Sequence, residues 1–145
     1  MNKLLIITIT TGVLLSNSVW AKDEILKFEI TPLLQSSKAK EVLYDVPLYF
    51  ADQAYAKTDR KLKGMTTSQK TNAFNKSAQE ACEWAFLSAI KVFQLKAQRE
   101  GMDAVVNITS NYKHHEFSST TEFECGSGNI IAGVALKADL VKFSN

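Results

Sequence analysis

Lys113 to Cys125, KHHEFSSTTEFEC, holds the densest set of ligating side chains in the chain: His114, His115, Glu116, Glu122, Glu124 and Cys125. Imidazole nitrogens and carboxylate oxygens are ligands for a divalent ion such as zinc. Spacing argues against that chemistry. Neighbouring residues of a regular strand point to opposite faces, so His114 and His115 could share an ion only across a bulge. The apolar phase slips from even positions at Val106 and Ile108 to the odd Phe117, which predicts such a bulge near 113–116. A weak divalent-metal site built from His114, His115, Glu122 and Glu124 is therefore the alternative reading. The primary reading is a solvated hairpin that needs no metal and no cofactor.

Other chemistries lack their signatures. No G-x-x-x-x-G-K-[ST] loop is present to cradle phosphates, so ATP is not an expected ligand. No G-x-S-x-G elbow presents a nucleophilic serine. Gly126-Ser127-Gly128 reads as a turn between strands, not as a dinucleotide loop. No catalytic residue is assigned, and the protein is expected not to be an enzyme. The chain carries 17 Lys and Arg against 15 Asp and Glu, and Lys3 is the only charged residue of the leader. This balance gives no electrostatic reason to expect nucleic acid as a partner.

The leader sets the compartment. Met1-Asn2-Lys3 is a short positive segment, Leu4 to Leu15 is apolar, and Val19 and Ala21 occupy the small-residue positions of a cleavage site. Residues 1–21 therefore read as a signal peptide cleaved after Ala21, and residues 22–145 as one domain. The expected location is the bacterial periplasm or the medium, with no transmembrane segment after cleavage. In that setting an even pair of cysteines, Cys82 and Cys125, reads as one structural disulfide. Their wide separation excludes a CxxC redox or zinc-knuckle pattern.

The elements that must position these residues follow from periodicity. Ile25–Ile30 and Val42–Phe50 are expected strands, the second at an edge or a bulge because Pro47 lies in it. The polar stretch Ala51–Asn75 is expected to be a long irregular connection. Ser77 and Glu80 form a capping box and Gly101 supplies the stop for one long helix. Ala78, Ala81, Cys82, Ala85, Ala89, Val92, Phe93 and Lys96 recur at helical spacing. Glu80, Glu83, Lys91, Gln94 and Gln98 make up a mostly polar side. Phe74 is a candidate hydrophobic staple, and Trp84 covers one side of the helix. Period-two patterns then mark strands at Asp103–Tyr112, Thr121–Cys125 and Asn129–Phe143. In the first, Val106, Ile108, Ser110 and Tyr112 share a face. In the last, the even positions Ile130 to Leu140 share a face. The fold class is α+β: one long helix packed on a mainly antiparallel sheet, in β-β-α-β-β-β order. Cys82 on the inward helix face and Cys125 on the inward strand face would then meet.

The segments PLYFADQ, KTNAFNKSAQEACEWAFLSAIKVFQLKAQREGMDAVVNITS and TEFECGSGNIIAGVALKADLVKF resemble a family of small exported bacterial proteins that carry the label "excinuclease ATPase subunit". The resemblance covers about Val46 to Phe143. More remotely, the alanine-rich helix followed by Gly-x-Asp-Ala-Val-Val is similar to the YbjQ-type proteins named for heavy-metal binding. The same order of helix and strands is similar to the envelope stress sensor RcsF, whose domain uses disulfides between helix and strands and works through protein contacts. This chain has two cysteines, not four, and no lipid-attachment cysteine. The resemblance implies the disulfide role of Cys82 and Cys125 and an envelope protein as partner. The functional expectation is an exported, non-enzymatic envelope or periplasmic protein acting as a protein-interaction or stress-sensing module.

Overall fold

The computed structural model describes residues 23–145; the stretch read as a signal peptide and its expected cleavage point lie outside the described residues. The elements in chain order are β1 (Glu24–Glu29), α1 (Ile30–Gln35), α2 (Ser37–Val42), β2 (Leu48–Phe50), β3 (Thr58–Asn72), α3 (Ala78–Arg99), β4 (Ala104–Tyr112), β5 (His115–Phe117), β6 (Glu122–Ser127) and β7 (Ile131–Phe143). The α+β class holds: one long helix, α3, packs on a mostly antiparallel sheet. Two strands and two short helices join the elements read from sequence.

α3 begins and ends as its sequence dictates. The Ser77 side chain accepts the Glu80 amide at 3.1 Å. Gly101, at φ +66°, takes the left-handed conformation that ends the helix cheaply only with glycine. Ala81, Cys82, Ala85, Ala89 and Ala97 are fully buried, and small side chains let the helix axis lie close to the sheet. The buried arc is wider than one stripe, because Leu87, Ile90 and Gln94 are buried too, while Val92 stays 39% exposed. The cause is a second contact: α1, α2 and the chain leading to β2 cover the flank of α3 that the sheet does not. Gln94, expected on the polar side, donates to the carbonyls of Tyr44 (2.9 Å) and Val46 (3.0 Å) and accepts the Tyr44 amide (2.9 Å). A glutamine is thus buried where three backbone groups would otherwise lack partners.

β7 is the spine of the sheet. β3 runs antiparallel beside it from Thr58↔Phe143 to Asn72↔Ile131. The other edge of β7 is shared end to end: β4 pairs with Leu136–Val141, and β6 with Ala132 and Gly133. β1 extends the sheet beyond β6, β5 folds back on β4, and β2 pairs with β4 in parallel. Between sheet and helix the Phe86 ring lies 4.2 Å from that of Phe123 and 6.2 Å from that of Phe50, all three buried. Burying each such side chain stabilises the fold by roughly 1.5–3 kcal/mol.

Several expectations are corrected. Most of the stretch read as an irregular connection is the fifteen-residue strand β3. Only Leu48–Phe50 of the second expected strand is extended; Val42 ends α2, and Pro47 immediately precedes β2. Ile30 opens α1, which admits Pro32 in its first turn, where a missing amide costs little. Phe74 is 62% and Ile130 65% exposed, so neither staples nor faces the core. Lys96 points out to pair with Glu100. β6 runs through Gly126 and Ser127, so the turn begins only at Gly128. Residues 113–116 hold no bulge: Lys113 and His114 form the turn between β4 and β5, the register of the two strands is unbroken, and the irregularity of β4 lies at Asn107, φ +54°. There β4 carries an extra residue against β7. As a result Val105 and Ile108 face α3, while Val106 joins Ala104 and Val141 in a small cluster apart from the main core.

Candidate functional site

The sheet face turned away from α3 is the surface that the fold leaves open. Its floor is the set of odd positions on β7: Gly133, Ala135, Lys137 and Asp139. One end is walled by the hairpin of β4 and β5. Lys113 and His114 turn that hairpin at φ +51° and +62°, a two-residue connection whose twist suits antiparallel strands. The hairpin folds over the start of the sheet. The Ser110 hydroxyl accepts the Glu124 amide at 2.9 Å, Lys27 Nζ sits 4.2 Å from the centre of the Phe117 ring, and Lys113 pairs with Asp23. The Tyr112 ring rests on the glycine pair Gly126↔Gly133.

Between this wall and β3 runs a hollow of about 500 Å³, lined by Thr66, Ser68 and Lys70 on one side and by Tyr112, Lys113 and His114 on the other. Further along β7 a second hollow of about 360 Å³ is lined by Lys63, Gly64, Asn107, Thr109, Glu116, Lys137 and Asp139. Asp139 organises the second hollow. One carboxylate oxygen accepts the Gly64 amide at 2.9 Å, and the other accepts the Asn107 side-chain amide at 2.8 Å. Gly64 and Asn107 are the irregular points of the two strands that flank β7, so a single aspartate satisfies a bulge on each side.

The charge on this face is mainly positive. Lys61, Lys63, Lys70, Lys113 and Lys137 lie on or beside it. Lys113 answers Asp23, whose carboxyl it holds below the usual range by hydrogen bonding, and Lys137 reaches Glu116 at 3.7 Å. Lys61 donates to the Tyr55 hydroxyl at 2.7 Å, which pushes the Tyr55 pKa down and the Lys61 pKa up. Among the described residues Lys63 and Lys70 have no acidic partner. Such a face can hold carboxylates and extended polar chain.

The residues singled out as metal candidates are not brought together. His114 is in the turn at the edge of the hollow, and His115 starts β5 exposed. Glu122 lies opposite Glu29 of β1 and lines a separate depression with Lys27, Pro32 and Glu83. Glu124 is only 6% exposed beside the hairpin, with one carboxylate oxygen buried and without a hydrogen-bond partner. Among the described residues no group of three or more His, Cys, Asp or Glu is placed to hold a metal. Cys82 and Cys125 do meet as a disulfide, fully buried, with Cα atoms 5.8 Å apart. Sequence reading overlooked Lys63, Lys70, Lys137 and Asp139. The signal for the last two was in the β7 alternation, whose odd positions had to face away from the core.

Comparison with protein-family models, with curated proteins and with solved structures finds no match to this chain. Among the described residues no helix is long and apolar enough to cross a membrane.

Proposed function

We propose that this is an exported, non-enzymatic envelope or periplasmic protein that serves as a protein-interaction or stress-sensing module, and that it meets its partner through the open face of the sheet. The observation that carries the reading is the pair of hollows along β7, lined by lysines of which Lys63 and Lys70 lack acidic partners within the described chain. Two further features support it. The wholly buried Cys82–Cys125 bond suits an oxidising compartment. The face is also built on paired strands and a tight hairpin, a rigid platform that loses little conformational entropy on binding.

Site-specific photocrosslinking in the native envelope tests the reading. A photoreactive residue at Ser68, on the open face, is expected to give discrete adducts with another protein. The same probe at Gln98, on the exposed side of α3, is expected to give none. Equal adduct patterns at the two positions, or adducts at Gln98 alone, would move the interaction off this face.

A further inference from the structure

The outer edge of β3 is a second feature of the same surface. Among the described residues β3 pairs with β7 alone, so the backbone groups on its other side have no strand beside them. Natural edge strands are guarded against pairing by lysines, bulges and prolines. Here most of the guards lie in one half. Arg60, Lys61, Lys63 and the Gly64 irregularity occupy the first part of β3. From Met65↔Ala138 to Asn72↔Ile131 the register with β7 is unbroken, and Lys70 is the only charged residue. Thr66, Ser68, Lys70 and Asn72 are exposed, while Met65, Thr67, Gln69 and Thr71 are half-buried toward α3.

The geometry points to Met65–Asn72 as the strand to which an extended segment of a partner protein adds, and to a segment that carries a carboxylate opposite Lys70. The inference rests on the reading that the open face is the interaction surface, and it states how the partner lies there. An extended chain can replace water along such an edge and pair with its row of amides and carbonyls. Charge decides its composition. A residue paired directly across from an exposed β3 position lies on the same face, so a carboxylate there would meet Lys70, with Lys63 at the end of the run. The alternate side chains of the added strand would lie beside Met65, Thr67 and Gln69 and are suited by Thr or Val. The composition of Met65–Asn72 does not supply that carboxylate, which disfavours a second copy pairing through the same edge.

The test uses the chain from Lys22 and a short fluorescent peptide in which glutamate alternates with threonine and valine. Binding is followed by anisotropy, and amide hydrogen exchange is read residue by residue. The expected result is salt-sensitive binding that slows exchange of edge amides within Met65–Asn72. Lys70→Glu is expected to weaken it roughly threefold to tenfold, while Lys76→Glu, outside β3, leaves it unchanged. An equally acidic peptide interrupted by prolines is expected not to bind. Equal binding of the proline-interrupted peptide, or binding that protects only β7 and the hairpin, would overturn strand addition while leaving the open face as the interaction surface. Self-association that protects the β3 edge without peptide would assign the edge to a second copy instead. Absence of peptide binding would also overturn the inference, and the Ser68 crosslinks would still report separately on the open face.

Discussion

The Tyr112 ring occupies the space that a side chain on Gly126 would need: a Cβ built there would lie 2.0 Å from the ring's Cζ and hydroxyl oxygen. Gly126 pairs with Gly133, so two neighbouring strands both lack side chains beneath one tyrosine. This is how the hairpin of β4 and β5 comes to rest on the sheet. Gly126→Ala is expected to lift the ring and destabilise the fold by about 1–3 kcal/mol, the usual cost of overpacking. In a Tyr112→Ala background the same change should be close to neutral. Urea unfolding of the four proteins in that cycle checks it; equal losses from Gly126→Ala in both backgrounds would show that the ring is not what the glycine accommodates.

The same hairpin shows where sequence reading reached and where it stopped. α3 was legible because its capping serine, stop glycine and small buried residues all agree with one periodicity. β7 was legible because Ala132, Val134, Leu136, Ala138 and Leu140 alternate against small or charged neighbours. β3 was not, because Leu62 and Met65 are its only large apolar residues. Its strand state comes from pairing with β7 along its whole length, a long-range term that a local pattern does not carry. The bulge at Asn107 was missed, since Val105 and Val106 are both apolar and both buried on different faces, and the change of phase before Phe117 comes from the two-residue turn that pairs Ser110 with Phe117. The open face was half-legible: its floor followed from β7, but its lysine-bearing wall belonged to the strand that was missed.

Gln94 provides a second test, on the helix side. Its amide holds Tyr44 and Val46 by three hydrogen bonds while being 1% exposed. Gln94→Leu keeps the volume near the original but removes all three partners. Leaving buried backbone groups unsatisfied costs about 1–3 kcal/mol each at most, less where water can reach them. A loss of roughly 2–4 kcal/mol is expected, together with faster proteolysis between α2 and β2. Unchanged stability and unchanged cleavage would mean that the connection is held by its apolar contacts alone.

Acid should loosen the sheet at a definable point. The Asp103 carboxylate accepts the Phe143 amide at 2.8 Å and the Lys142 ammonium at 3.1 Å, tying the start of β4 to the end of β7. These bonds, the backbone one first, hold its pKa below the ordinary value. A carboxylate depressed on folding contributes its full stability above the unfolded pKa, near 4, and loses it as pH falls through the folded value. Stability measured by urea midpoint should therefore fall with acid below that range. Asp103→Asn should lower stability at neutral pH and flatten part of the acid limb. Parallel acid limbs in the two proteins would remove Asp103 from the account.

The disulfide is the one covalent cross-link among the described residues. Cys82 lies on the buried face of α3 and Cys125 within β6, 43 residues apart in sequence, and neither sulfur is exposed. The bond therefore ties the helix to the strand that carries β1, the outermost part of the sheet. In the chain-entropy account a loop of this length is worth roughly 4 kcal/mol, and loss of a native bond in a small domain costs about 2–5 kcal/mol. Cys82→Ala and Cys125→Ala should each cost within that range, and the double variant should cost no more than either alone, because both remove the same bond. Protein isolated without reductant should show no free thiol on labelling under denaturing conditions. Reduction should need prior unfolding, since a reductant cannot reach a sulfur enclosed by α3 and the sheet. Additive losses, or two labelled thiols in the natively isolated protein, would show that the two cysteines act separately and would free Cys125 for another role beside Glu124.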